Sequence, residues 1–141
     1  AGEATLILFN GGVEDRLHAR ELGECVGMAF QIIDDALDYR GDADMMGKPA
    51  FMDIRTGCLT LPLIHALRER RPEDANSILK ERVHSAERVL SVVGESGGID
   101  YAIGRAEEYI RKAGEILNIW RPMESPAIFD QYFEALLERG R

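Results

Sequence analysis

Residues 27–39, Gly-Met-Ala-Phe-Gln-Ile-Ile-Asp-Asp-Ala-Leu-Asp-Tyr, place three carboxylates in a run otherwise apolar enough for a buried helix. At roughly 100° per residue, Gln31, Asp34, Asp35 and Asp38 fall on one narrow stripe, while Val26, Met28, Ala29, Phe30, Ile32, Ile33, Ala36 and Leu37 cover the remaining circumference. Such a helix is expected to be surrounded by protein on most sides, and ionised carboxylates without a partner are costly to bury. The stripe must therefore face a cavity or something cationic. Two partners would satisfy it. A Mg²⁺ ion would take hard oxygen ligands from Asp34, Asp35 and Asp38 and keep room for water and phosphate oxygens. Lys or Arg side chains of a neighbouring helix would neutralise the same acids.

The remainder of the chain predicts helices separated by Gly and Pro breaks. Residues 1–9 are apolar at Thr-Leu-Ile-Leu-Phe and suit either a helix end or a strand, and Asn10-Gly11-Gly12 closes them. A long helix is expected over Val13–Tyr39, with Glu14 and Asp15 in its first turn and Arg40-Gly41-Asp42 at its end. Gly41–Thr60 has no sustained period and predicts a loop rich in Asp42, Asp44, Lys48, Asp53 and Arg55. Helical patterns follow over Leu61–Arg70, from Pro72, over Ser85–Val93, over Ile99–Ile119 and from Ser125-Pro126. The Phe129, Tyr132, Phe133 stripe suits either the core or an apolar tunnel. His18, in the polar start of the long helix, reads as a solvated side chain, and His65 and His84, with no partners at metal-ligand spacing, read as surface or capping residues.

Charge and length narrow the function classes. Seventeen basic against twenty-five acidic residues give a formal charge of −8, which argues against a nucleic-acid or anionic-membrane surface. No apolar run reaches the roughly 20 residues of a membrane span. Cys25 and Cys58 are too few for a disulfide framework and lack zinc spacing, so reduced thiols and a cytoplasmic location are the expectation. With 141 residues, one all-α domain over 1–141 is expected.

The ordered set Gly27-x-Ala29-Phe30-Gln31-x-x-Asp34-Asp35-x-x-Asp38-Tyr39, Gly47-Lys48-Pro49, Asp53-Ile54, Gly57 and Thr60-Leu61-Pro62-Leu63 resembles the second aspartate-rich region of the trans-type polyprenyl diphosphate synthases. The resemblance implies a helical bundle of the isoprenoid synthase type, of which this chain is the C-terminal part. The first Asp-rich motif is not among these residues. The implied reaction condenses isopentenyl diphosphate with an allylic prenyl diphosphate whose diphosphate is held through Mg²⁺. In that scheme Asp34 is the direct metal ligand, Asp35 and Asp38 act through metal or water, Gln31 positions diphosphate or the allylic cation, and Lys48 clamps the outer phosphate. The chain alone is then expected to be inactive, working as a homo-oligomer or with a partner chain that carries the first motif. The alternative is a non-catalytic subunit or regulator of a heteromeric synthase. Two departures stand out: Cys58 replaces a Lys common after the glycine equivalent to Gly57, and Phe51 replaces a common Gly. The missing Lys slightly favours a long-chain product class.

Overall fold

The computed structural model describes residues 12–40, 52–68, 70–81, 85–120 and 127–140. Its elements are α1 (Val13–Arg40), α2 (Met52–Thr56), α3 (Leu61–Arg68), α4 (Pro72–Glu81), α5 (Ala86–Glu95), α6 (Gly98–Trp120) and α7 (Ala127–Gly140). All are helices, as the apolar periodicity requires. The expected element over residues 1–9, the Asn10-Gly11 break, Lys48, Phe51 and His84 lie outside the described residues.

By its contacts the chain divides into two compact units, Ala1–Gln31 with Arg105–Arg139 and Arg141, and Ile32–Gly104 with Gly140. In the first unit, α1 buries Ala19, Leu22, Cys25 and Ala29 on one line, α6 buries Ala106, Ile110, Ala113 and Ile116, and α7 buries Phe133 and Leu136. The Trp120 indole N–H donates to Asp15 Oδ1 at 2.8 Å, and the His18 ring stacks on Trp120 with centroids 6.0 Å apart. His18, half-buried, is thus an aromatic neighbour of the single tryptophan. The aromatic stripe of α7 is split between environments: Phe133 is buried, whereas Tyr132 is exposed and meets Phe133 edge-on.

In the second unit the core gathers Tyr39, Ile54, Leu63, Ala66, Ile78, Val89, Val92 and Val93, with Leu67, Ala86, Leu90 and Ile99 packed against it. These side chains come from α1 through α6, so the end of α1 is seated in the same core as the short helices that follow it.

Two glycines set the joints of this unit. Gly57 follows α2 with φ of 78°, its N–H donating to the Ile54 carbonyl at 3.1 Å and that of Cys58 to the Asp53 carbonyl at 2.8 Å. This is a helix end closed by a left-handed residue, where a side chain would be strained. Gly97 closes α5 likewise with φ of 66°, while the Ser96 hydroxyl caps the Val93 carbonyl at 2.9 Å. Gly98 then starts α6 against α3: a Cβ there would lie 2.5 Å from the Pro62 carbonyl oxygen. Beside this close approach, His65 of α3 stacks on Tyr101 of α6 with ring centroids 4.0 Å apart. His65, half-buried, is therefore part of the helix contact.

Two local expectations are corrected. Gly41–Thr60 is not all loop, because α2 occupies Met52–Thr56. A five-residue helix is too short to stabilise itself, and its stabilising partner, described next, is remote in sequence. Enclosure of α1 is also uneven: Met28 is 44% and Phe30 41% exposed, whereas Ala36, Leu37, Asp38 and Tyr39 are buried in succession. Periodicity marks which residues are apolar, but burial also requires a neighbouring element.

Candidate diphosphate site

The acidic stripe runs along α1 on the side opposite its buried line, as spacings of three and four residues dictate. Gln31 is exposed, Asp34 and Asp35 are half-buried, and Asp38 is only 3% exposed. Exposure thus falls along the stripe toward the helix end. The two acids most open to a ligand are adjacent in sequence, and the third is enclosed.

Asp38 is enclosed because it has a specific task. Its Oδ2 accepts the main-chain N–H of Asp53 at 3.0 Å, in the first turn of α2. An anionic acceptor there satisfies one of the donors that a helix start leaves without an internal partner and complements the helix dipole. One residue on, the Tyr39 and Thr60 hydroxyls share a buried hydrogen bond of 2.7 Å. Burial pushes the Tyr39 phenol up to about 12, with Asp53, Asp38 and Asp35 adding to the rise and the Thr60 bond opposing it. The end of α1 is thereby tied to residue 53 by a carboxylate and to residue 60 by a hydroxyl.

Sequence reasoning identified the stripe but missed both ties. The donor to Asp38 is main chain and leaves no side-chain signature. Tyr39 offered a weak signal, since a tyrosine at the end of an apolar run needs a partner for its hydroxyl when buried.

Among the described residues no three Asp, Glu, His or Cys side chains converge tightly enough to enclose a metal. An all-protein cage is therefore absent from that part of the chain. Asp34 and Asp35 nevertheless fit Mg²⁺ in its commoner mode, in which one or two carboxylates bind and water and phosphate oxygens complete the shell. A surface cavity of about 400 Å³ lies elsewhere, lined by Arg105, Glu108, Tyr109, Arg111, Lys112 and Glu115 of α6 and by none of the stripe residues. Its arginines are already paired, Arg105 with Glu108 and Arg111 with Glu115, so it presents a salt-bridged helix face. No helix among the described residues is long and apolar enough to cross a membrane.

Comparison with known proteins agrees with the fold. The family model described as polyprenyl synthetase matches residues 2–95. The chain is 32% identical over 125 residues to an octaprenyl diphosphate synthase of Haemophilus influenzae, a match covering 84% of this chain and 38% of that protein. Among solved structures, a geranylgeranyl pyrophosphate synthase from Bacteroides thetaiotaomicron superimposes with a TM-score of 0.80 at 29% identity, over 98% of this chain and 46% of that one. A Caulobacter crescentus polyprenyl synthase complexed with calcium and isoprenyl diphosphate gives 0.74 at 28% identity, over 98% and 43%. The chain thus spans less than half the length of these proteins. With its helices, its ordered motifs and a family match over residues 2–95, the chain belongs to the polyprenyl synthetase family.

Proposed function

We propose that this chain supplies the diphosphate-binding second half of a prenyltransferase site that joins isopentenyl diphosphate to an allylic prenyl diphosphate. The observation that carries the reading is the graded stripe of α1, with Asp34 and Asp35 half-open beside an anchored Asp38. Asp34 would provide the direct oxygen ligand for Mg²⁺, and Asp35 would act through water. Gln31, exposed one turn earlier on the same face, offers its amide to a diphosphate oxygen or to the developing allylic cation. Lys48 supplies fixed positive charge to the outer phosphate. When bound, Mg²⁺ would neutralise the diphosphate and make it a competent leaving group. The chain's own part is to hold carboxylates and cation donors where that charge develops.

A complete reaction needs a second set of acids for the same diphosphates, so the 141-residue chain alone is expected to be inactive. It would become active beside a chain that carries them. Calorimetry with inorganic pyrophosphate should show Mg²⁺-dependent binding that weakens by about tenfold or more in Asp34→Asn, since a charge-assisted contact is worth roughly 1.5–3 kcal/mol. Prenyl product formation by the isolated chain would refute the half-site reading, and pyrophosphate binding indifferent to Mg²⁺ would refute the metal assignment.

A further inference from the structure

We infer that Arg55, in the last turn of α2, is a diphosphate-binding residue that supplies positive charge to the outer phosphate oxygens where Cys58 offers none. The inference deepens the proposed diphosphate reading and rests on it. The structure seats α2 against the end of the acidic stripe: the Asp53 N–H donates to Asp38 Oδ2 at 3.0 Å, and Ile54 is fully buried in the core that also holds Tyr39. Arg55 follows two residues after Asp53 and is exposed. In helical geometry its Cα therefore lies within about 10 Å of the Asp38 carboxylate, a span that a long side chain and a bound diphosphate can bridge together.

The charge at this place calls for such a cation. Asp35, Asp38 and Asp53 all act on the Tyr39 phenol, so the stripe and the start of α2 share one acidic neighbourhood. A polyanion is drawn there only where fixed cations offset those carboxylates. Residues 52–60 contain one base, Arg55, and the exposed Cys58 brings a thiol and no ammonium. Arg40 ends α1 two residues after Asp38, about 200° around the helix, and so stands off the stripe. Among the described residues, salt bridges engage Arg20, Arg70, Arg71, Arg88, Arg105 and Arg111, and Arg55 enters none of them. Its guanidinium is thus open to a ligand, and the planar fork suits two oxygens of one phosphate.

The test titrates inorganic pyrophosphate with Mg²⁺ calorimetrically into the 141-residue chain and into its Arg55→Gln, Arg55→Lys and Arg68→Gln variants. Arg68, exposed at the end of α3, also enters no salt bridge among the described residues, so Arg68→Gln removes the same charge from the surface without removing a phosphate contact. Arg55→Gln should weaken pyrophosphate by about tenfold while its binding still requires Mg²⁺. Arg55→Lys should weaken it by about threefold, because the charge stays and the fork is lost, and Arg68→Gln by less than about twofold. Exposed substitutions of this kind leave folding nearly unchanged, so circular dichroism should give all four proteins the same Tm within about 3 °C. Equal weakening in Arg55→Gln and Arg68→Gln would reduce the effect to net charge and overturn the inference, as would wild-type affinity in Arg55→Gln. In either case Mg²⁺-dependent binding by the wild-type chain would leave the proposed function standing. Absence of pyrophosphate binding by the wild-type chain would bring both down together.

Discussion

Gly98→Ala is a severe test of how the second unit is packed. The new Cβ would stand 2.5 Å from the Pro62 carbonyl oxygen, 3.2 Å from its carbonyl carbon and 3.3 Å from Ser96 Oγ. Carbon and oxygen atoms of this kind settle near about 3.3–3.6 Å, so the overlap is close to an ångström. The obstructing atom is main chain in the first turn of α3, and Pro62 is fully buried, so no rotamer change can remove the clash. Relief requires α3 and α6 to separate where the His65 and Tyr101 rings are stacked at 4.0 Å. Overpacking of this sort costs about 1–3 kcal/mol, offset by roughly 0.4–1 kcal/mol because alanine leaves the unfolded chain fewer conformations. The net loss should be about 1–2 kcal/mol, or a Tm lower by roughly 3–10 °C for a chain of this size. Gly97→Ala and Gly104→Ala calibrate the result. Neither Cβ would meet anything within 4 Å, but Gly97 has φ of 66° whereas Gly104 lies within α6. Gly97→Ala should cost about 1–2 kcal/mol through backbone strain alone, and Gly104→Ala should stabilise by about 0.5–1 kcal/mol. Urea and thermal unfolding followed by circular dichroism would rank the three variants. A Gly98→Ala protein as stable as Gly104→Ala would refute the close approach of α6 to α3.

Tyr39→Phe should destabilise by about 1–2 kcal/mol, since it leaves the buried Thr60 hydroxyl without its partner. The burial of Tyr39 gives a pH signature: the phenol rises from 10.0 when unfolded to about 12 when folded, so the unfolded state releases its proton first. The contribution of Tyr39 is complete below about pH 10 and is lost as pH rises toward about 12, amounting to roughly 2 kcal/mol. Denaturation midpoints should fall over that window in wild type and fall less in Tyr39→Phe; equal slopes would contradict the assignment. The two thiols should separate by accessibility, because Cys58 is exposed and Cys25 is buried with its thiol pushed up by that burial. A disulfide reagent should modify one thiol at once and the second only on unfolding, and rapid modification of both would count against the packing of α1.

The sequence made helices and joints legible where local chemistry decides them. Gly97-Gly98 marked the break between α5 and α6, and Pro62 and Pro72 marked helix starts. What stayed hidden depends on distant partners. Helix α2 exists beside a carboxylate fifteen residues earlier, and the Tyr39 hydroxyl finds its partner twenty-one residues later. Exposure of Met28 and Phe30 was unreadable for a related reason, since apolar spacing says nothing of which side a neighbour occupies. The acidic stripe was visible as a pattern, but its division into two half-open acids and one enclosed acid was not.

Because the group that Asp38 grips at position 53 belongs to the peptide backbone, the grip is blind to the side chain there. Nineteen of the twenty standard residues carry the needed N–H, and proline alone does not. A substitution to proline at 53 would therefore sever the connection while leaving every acidic group of α1 chemically intact. Drift at this position would be invisible to any search that follows side chains.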